Sequence, residues 1–256
     1  MTDPADPWSW AAEPAVRRLT VEFGDELAIT YVMGGFARRV TDGAAVARRA
    51  LDAAAAAGMP ADPRLWLDGH PASSYPACLA VKAAAEQGLD AAVLRVLREG
   101  FMVDRRRQDT PAALLEAVRA VDGLDVERFA VDLRSNAIVE AFGADLDVAR
   151  GGGPGGAGLT LPSWRIRGEG HGDVVLAAEG AVPALRDAVL AAGAVAVGAL
   201  PDAETAVRRL GRAATAEVAA VCDLPGPRAP AELWRLALEW RVRAERVLGG
   251  EMWSAA

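Results

Sequence analysis

Between Thr41 and Arg150 the apolar positions recur every three or four residues, and each run stops at a glycine, a proline or a capping residue. That spacing predicts helices over Thr41–Gly58, Ser73–Gly88, Ala91–Val103 and Thr110–Val121, and a last one over Asp125–Arg150 broken near Ser135 by a second N-cap. Ahead of this block, Asp6 and Pro7 form a good helix start, so a helix is expected over Pro7–Phe23, with Pro14 kinking or restarting it. The segment Glu26–Met33 is short and β-branched and runs into Gly34-Gly35, which predicts a strand ending in a turn.

Past the helical block the pattern changes. Gly151–Gly158 is a low-complexity loop, and beyond it Leu159–Arg167 and Asp173–Ala178 are expected as two strands joined across a turn-rich connection. A helix from Val182 to about Ala192 follows. From Pro201 onward three short helices are expected, over Asp202–Arg212, Thr215–Cys222 and Ala231–Leu248, with the breaker Leu224-Pro225-Gly226-Pro227 between the last two. They suit a helix-turn-helix-like module.

Composition narrows the function. The 256 residues are 52% hydrophobic and 25% charged, as in a folded protein with a substantial core, and the net charge of -7 repels phosphate backbones and anionic membrane surfaces. Within 201–256 arginines and acidic residues balance, so nucleic acid is not an expected partner. The longest apolar run, Ala188–Leu200, falls well short of the roughly twenty residues of a membrane span. The acidic opening Met1–Asp6 lacks the pattern of a secretory signal, which points to the cytoplasm. Cys78 and Cys222 stand far apart and fit neither a disulfide framework nor a metal site, so no metal and no cofactor are expected. His70 and His171 sit in Gly/Pro-rich loops and read as surface histidines, and Arg105-Arg106-Arg107 as a solvated face.

Two local motifs carry a resemblance. Asp3-Pro4-Ala5-Asp6-Pro7-Trp8-Ser9-Trp10 resembles the strand end and redox-helix start of the DsbA-like thioredoxin-fold family, above all its FrnE-like dithiol-disulfide isomerase branch, where a Cys-Pro-Trp-Cys/Ser-Trp run follows Asp-Pro. Leu161-Pro162-Ser163-Trp164 resembles the strand bearing that family's cis-proline, and Ala72–Gly88 and Gly123–Phe129 resemble its inserted helical domain. The implied fold is α/β: a thioredoxin-like fold with an inserted all-helical domain, plus a small C-terminal helical module. Residues 1–40 and 155–195 would form the thioredoxin-like domain, 41–150 the insertion and 200–256 a C-terminal appendage. The family's domain opens on a central strand ahead of Asp-Pro, for which Met1-Thr2 leaves almost nothing; because an absent central strand strands backbone groups, a start further upstream is the expectation.

Carried over position by position, the family's two catalytic cysteines fall on Asp6 and Ser9, neither of which exchanges a disulfide. The resemblance therefore implies an oxidoreductase scaffold with a degenerate site, retaining at most peptide or protein binding, with Trp8, Trp10, Leu161, Pro162 and Trp164 as substrate-binding residues. Two alternatives stand beside it. One is a thiol-dependent enzyme like the kappa-class glutathione transferases and 2-hydroxychromene-2-carboxylate isomerases, taking a small-molecule thiol. The other is an adaptor or regulator docking a partner through the C-terminal helices.

Overall fold

The computed structural model describes residues 1–151, 160–170, 172–177 and 182–256. The glycine-rich loop after Gly151, Leu159, His171 and Ala178 therefore lie outside the described residues. Asp6 caps the first helix, α1 (Pro7–Ala11), through its carboxylate and Ser9 N–H, 2.8 Å apart, with Pro7 at the first helical position. Pro14 lies in the first turn of α2 (Glu13–Phe23), so the expected helix is two helices that restart at Ala12. Gly24, at φ 53, ends α2 and returns its N–H to Thr20 O.

The strand expected over Glu26–Met33 does not form. Gly24–Glu26 is a 3-10 turn, and further on there is a single parallel bridge, Thr2 to Met33. Thr2 N–H donates to Val32 O at 2.9 Å and Gly34 N–H to Thr2 O at 2.8 Å, while Ser163 N–H donates to Met1 O at 3.1 Å. Met1-Thr2 thus lies between two neighbours, in the place of a central strand. A β-branched run becomes a strand only against a ladder of matching length, and here the ladder is one bridge long.

The helical block follows the sequence closely. It comprises α3 (Gly43–Ala57), the short α4 (Arg64–Leu67), α5 (Tyr75–Ala85), α6 (Asp90–Met102), α7 (Pro111–Val118), α8 (Val126–Asp132) and α9 (Asn136–Gly151). Gly58 and Gly88 take the left-handed conformation expected of helix ends, at φ 66 and 69. Ser135 Oγ accepts from Ile138 N–H at 3.3 Å and so starts α9. The interior is aromatic and aliphatic: Trp66 stacks on Phe101 at 6.1 Å between centroids, Tyr75 meets Phe142 edge-on at 5.0 Å, and Leu94, Leu97 and Phe129 are buried.

Then come β1 (Ser163–Ile166) and β2 (Val174–Ala177), paired in a two-stranded sheet, and α10 (Val182–Ala191). The C-terminal module holds α11 (Ala203–Leu210), β3 (Ala213–Ala214), α12 (Thr215–Cys222), α13 (Arg228–Leu238), β4 (Val242–Val247) and β5 (Gly250–Ala255). Here the expected span of the third helix needs correcting. The third helix stops at Leu238 instead of Leu248, and the remainder is an antiparallel hairpin in a sheet of order β3-β5-β4, with Ala244 opposite Trp253 and Ala213 opposite Trp253 on the other side. Trp240, at φ 59, turns the chain out of the helix, and the hairpin pays back by burying Met252 and Trp253. The module is a winged helix-turn-helix.

The chain packs as two compact units: 1–10, 30–51 and 62–163 in one, 11–29, 52–61 and 164–256 in the other. These units cut across the boundaries drawn from the sequence. In the second, α2 serves two cores. Ala15, Leu19 and Phe23 pack with Leu185 and Val189 of α10, while Val21 joins Val207, Val218, Leu233, Leu236 and Trp253. Buried Glu22 is held by Arg18 at 2.6 Å and Arg186 at 2.6 Å, and Arg18 also donates to Ala220 O at 2.8 Å. Among the described residues no helix is long and apolar enough to cross a membrane.

Candidate functional site

Asp6 is fully buried at the N-terminus of α1, and its oxygens are committed. Oδ2 accepts from both Ser9 N–H and Ser9 Oγ, each at 2.8 Å; Oδ1 accepts from Arg49 Nη2 at 3.1 Å and Nε at 3.3 Å. Burial pushes the Asp6 carboxyl above the ordinary carboxylate range, and the Arg49 guanidinium and the Ser9 hydrogen bonds oppose that rise. Arg49 comes from α3, keeps 40% of its side chain exposed and lies 5.7 Å over the Phe36 ring.

A second carboxylate lies one turn of chain earlier. Asp3 is also fully buried; Oδ1 accepts from Ala5 N–H at 2.7 Å, and Oδ2 from Phe36 N–H at 2.7 Å, Ser74 Oγ at 2.9 Å and the Cys78 thiol at 3.1 Å. Burial raises the Asp3 carboxyl too. The Cys78 thiol is pushed well up, first by burial and then by Asp3, so it is a poor source of thiolate. Cys222, half-buried on α12, is raised to about 11 by burial and Asp202. Both cysteines are free.

The other predicted residues divide. Leu161 and Pro162 are joined by a cis peptide, and the Leu161 side chain lies so close over Gly34 that a Cβ there would stand 2.5 Å from it. Trp8 is half-buried on α1. Trp10, expected on a binding surface, is instead 1% exposed with the Arg95 guanidinium 4.7 Å over its ring; the helical turn that leaves Trp8 accessible carries Trp10 into the interior. Trp164 belongs to the other unit, where it packs against the core of Leu19, Phe23, Leu185 and Val189. Sequence reasoning missed Asp3, Arg49, Ser74 and Cys78. Asp3 was visible within the Asp-Pro motif; Arg49 and Cys78 reach the site from α3 and α5, and Ser74 from the residue just ahead of α5, all distant in sequence.

Chemically the arrangement is a capped helix start in which Arg49 pairs Asp6 while Asp3 is held by neutral donors. Neither Asp6 nor Ser9 carries a sulfur, the Asp6 oxygens are taken up by Ser9 and Arg49, and among the described residues no cluster of His, Cys, Asp and Glu is suited to hold a metal.

Fold and site together define a DsbA-like thioredoxin-fold protein. The family model described as thioredoxin matches residues 1–151, and the chain belongs to that family. Among curated proteins it is 32% identical over 163 residues to the ClpXP adapter protein SpxH of Halalkalibacterium halodurans, covering 58% of this chain and 52% of that protein. The chain spans about half the length of the first of these relatives. Against SpxH of Shouchella clausii it is 29% identical over 98% of this chain and 85% of that one. Among solved structures, a putative protein disulfide isomerase from Nitrosomonas europaea aligns with TM-score 0.64 and 17% identity, and the cytosolic disulfide reductase DsbM from Pseudomonas aeruginosa with 0.60 and 23%; each alignment covers 74% of this chain and 93% of the other.

Proposed function

We propose that this chain works by binding a protein partner and not by disulfide exchange. The observation that carries this reading is Asp6: at the helix start where the family's thiolate resides stands a buried carboxylate whose oxygens are taken up by Ser9 and Arg49. A thiolate at a helix N-terminus is a nucleophile because dipole and N–H groups stabilise it while leaving the sulfur accessible; here the same groups hold an inert cap. Leu161 and Pro162 with half-buried Trp8 remain as the peptide-binding edge, the residue before the proline offering its backbone to an extended segment. The curated relatives named as ClpXP adapters favour an adapter role, in which a bound client is handed to ClpXP. The glutathione-transferase alternative is disfavoured because a bound thiolate would face a carboxylate at Asp6.

Two measurements test the proposal. In reduction of insulin by dithiothreitol, the full chain is expected to leave the onset of turbidity at its uncatalysed time. A photo-crosslinker at Trp8 is expected to capture a protein that purified ClpXP degrades faster with this chain than without it. Catalysed insulin reduction, or unchanged degradation of the captured protein, would overturn the reading.

A further inference from the structure

The winged module presents a face that its own packing explains only in part, Trp234 meeting the buried Trp253 edge-on at 5.1 Å between centroids. α13 buries Ala229, Leu233 and Leu236 and turns Trp234 and Leu238 outward, 41% and 81% exposed. Two residues past its end Trp240 is 87% exposed at φ 59. That left-handed position after a helix is one that glycine fills at least cost and a bulky side chain fills only under strain. An indole held in water on a strained backbone contributes nothing to the folding of the single chain.

In DNA-binding modules of this shape the helix equivalent to α13 enters the major groove and needs free cationic and polar groups there. Here Trp234 and Leu238 put apolar groups on the outward side, and Arg235 and Arg241 beside them are neutralised within the chain, while Arg228, Arg243 and Arg246 stay exposed. Arg235 bonds Glu232 at 2.6 Å and Glu239 at 2.5 Å, and Arg241 pairs with Glu204 and, at 3.7 Å, with Glu239.

We infer that this face is a homodimer interface, in which Trp234, Leu238 and Trp240 of one copy pack on the same residues of a second. The charge pattern selects a second copy. The rim carries Glu232, Arg235, Glu239 and Arg241 in balance, so identical patches do not repel, and glutamates and arginines can exchange partners across a two-fold axis. The area agrees. With large aromatic side chains burying about 150–250 Å² each, these three residues expose on the order of 400 Å² of apolar surface per copy, and two such patches with their rims reach the ~1,000 Å² of a specific interface. The inference is independent of the partner-binding proposal, which rests on Asp6 and the Leu161-Pro162 edge.

The test is sedimentation velocity on the full chain from micromolar to submillimolar concentration. The wild type is expected to shift from 26.7 kDa toward twice that mass. Leu238→Glu and Trp240→Gly are each expected to weaken the dimer about tenfold or more. Glycine suits the backbone at 240, so Trp240→Gly should keep the circular dichroism spectrum of the folded chain, which separates lost association from lost folding. A wild type that stays monomeric throughout overturns the inference, as do variants that dimerise like the wild type; a monomer that binds duplex DNA in fluorescence anisotropy overturns it in favour of nucleic-acid recognition.

Discussion

Replacing Arg49 by alanine isolates what holds the Asp6 carboxylate in the interior. Asp6 keeps both Ser9 hydrogen bonds on Oδ2 but loses the two that Arg49 donates to Oδ1. Removing one partner of a wholly buried pair costs about 3–5 kcal/mol, whereas an exposed pair contributes ~1 kcal/mol or less. Asp6 is fully buried but Arg49 is 40% exposed, so water enters the vacated space and the loss is expected between these limits, about 2 kcal/mol. For a chain of this size that is a fall in Tm of about 4–8 °C. The pH dependence supplies a second handle. Burial raises the folded-state pKa of Asp6, and Arg49 restrains the rise; without Arg49 it climbs further. The penalty of the bare carboxylate is therefore present above that folded pKa and is relieved as pH falls through it, so Arg49→Ala should lose less stability relative to wild type under mildly acidic conditions than at neutral pH. Urea unfolding of wild type, Arg49→Ala, Asp6→Asn and the double variant measures both effects. An Arg49→Ala loss below about 0.5 kcal/mol at neutral pH, or single losses that simply add in the double variant, would refute the argument.

Three further outcomes follow from the same geometry. Asp6→Cys with Ser9→Cys should restore measurable insulin reduction, because α1 supplies the helix start that lowers the pKa of its first cysteine; an inert double variant with an intact circular dichroism spectrum would show that the scaffold no longer supports the chemistry. In native protein, Ellman's reagent should leave Cys78 unreacted and modify Cys222 slowly, since both thiols are raised by burial, and rapid labelling of Cys78 would contradict its place beside Asp3. Arg186 and Arg18 hold the Glu22 carboxyl below its ordinary range, so its contribution is present above the unfolded value of 4.5 and is lost as pH falls through the lower folded value. Glu22→Gln should thus destabilise by about 1–2 kcal/mol at neutral pH and progressively less on acidification, as read from urea midpoints at both.

Where structure depends on local chemistry, the sequence was legible. Asp6, Pro7 and Ser9 specify a helix start within four positions, Pro14 restarts the next helix, and Gly58 and Gly88 end theirs at positive φ, none needing a distant partner. Segments whose state is decided by partners far along the chain were misread. Leu27–Met33 has strand-like residues but a ladder of one bridge. Val242–Val247 has the reverse character: arginine, alanine and glutamate favour a helix, yet pairing with Gly250–Ala255 makes it a strand. Gly249-Gly250 turns that hairpin, whereas the expected helix runs to Leu248 because the apolar spacing of Leu233 and Leu236 continues in phase through the following residues.

The candidate site divides along the same line. The cap is local: Asp6 bonds Ser9, three residues on, with groups that any α1 sequence of this type would offer. The charge balance is not local, since Arg49 arrives from α3, and Asp3 is satisfied by Phe36, Ser74 and Cys78. A carboxylate in place of a catalytic thiolate keeps the negative charge that the helix N-terminus favours, but it is buried at a cost unless a cation follows it inward. Arg49 is that cation. Its pairing accounts for a buried helix start in which every oxygen on Asp6 is committed, and under the proposed function it leaves Leu161, Pro162 and Trp8 as the groups to meet a partner.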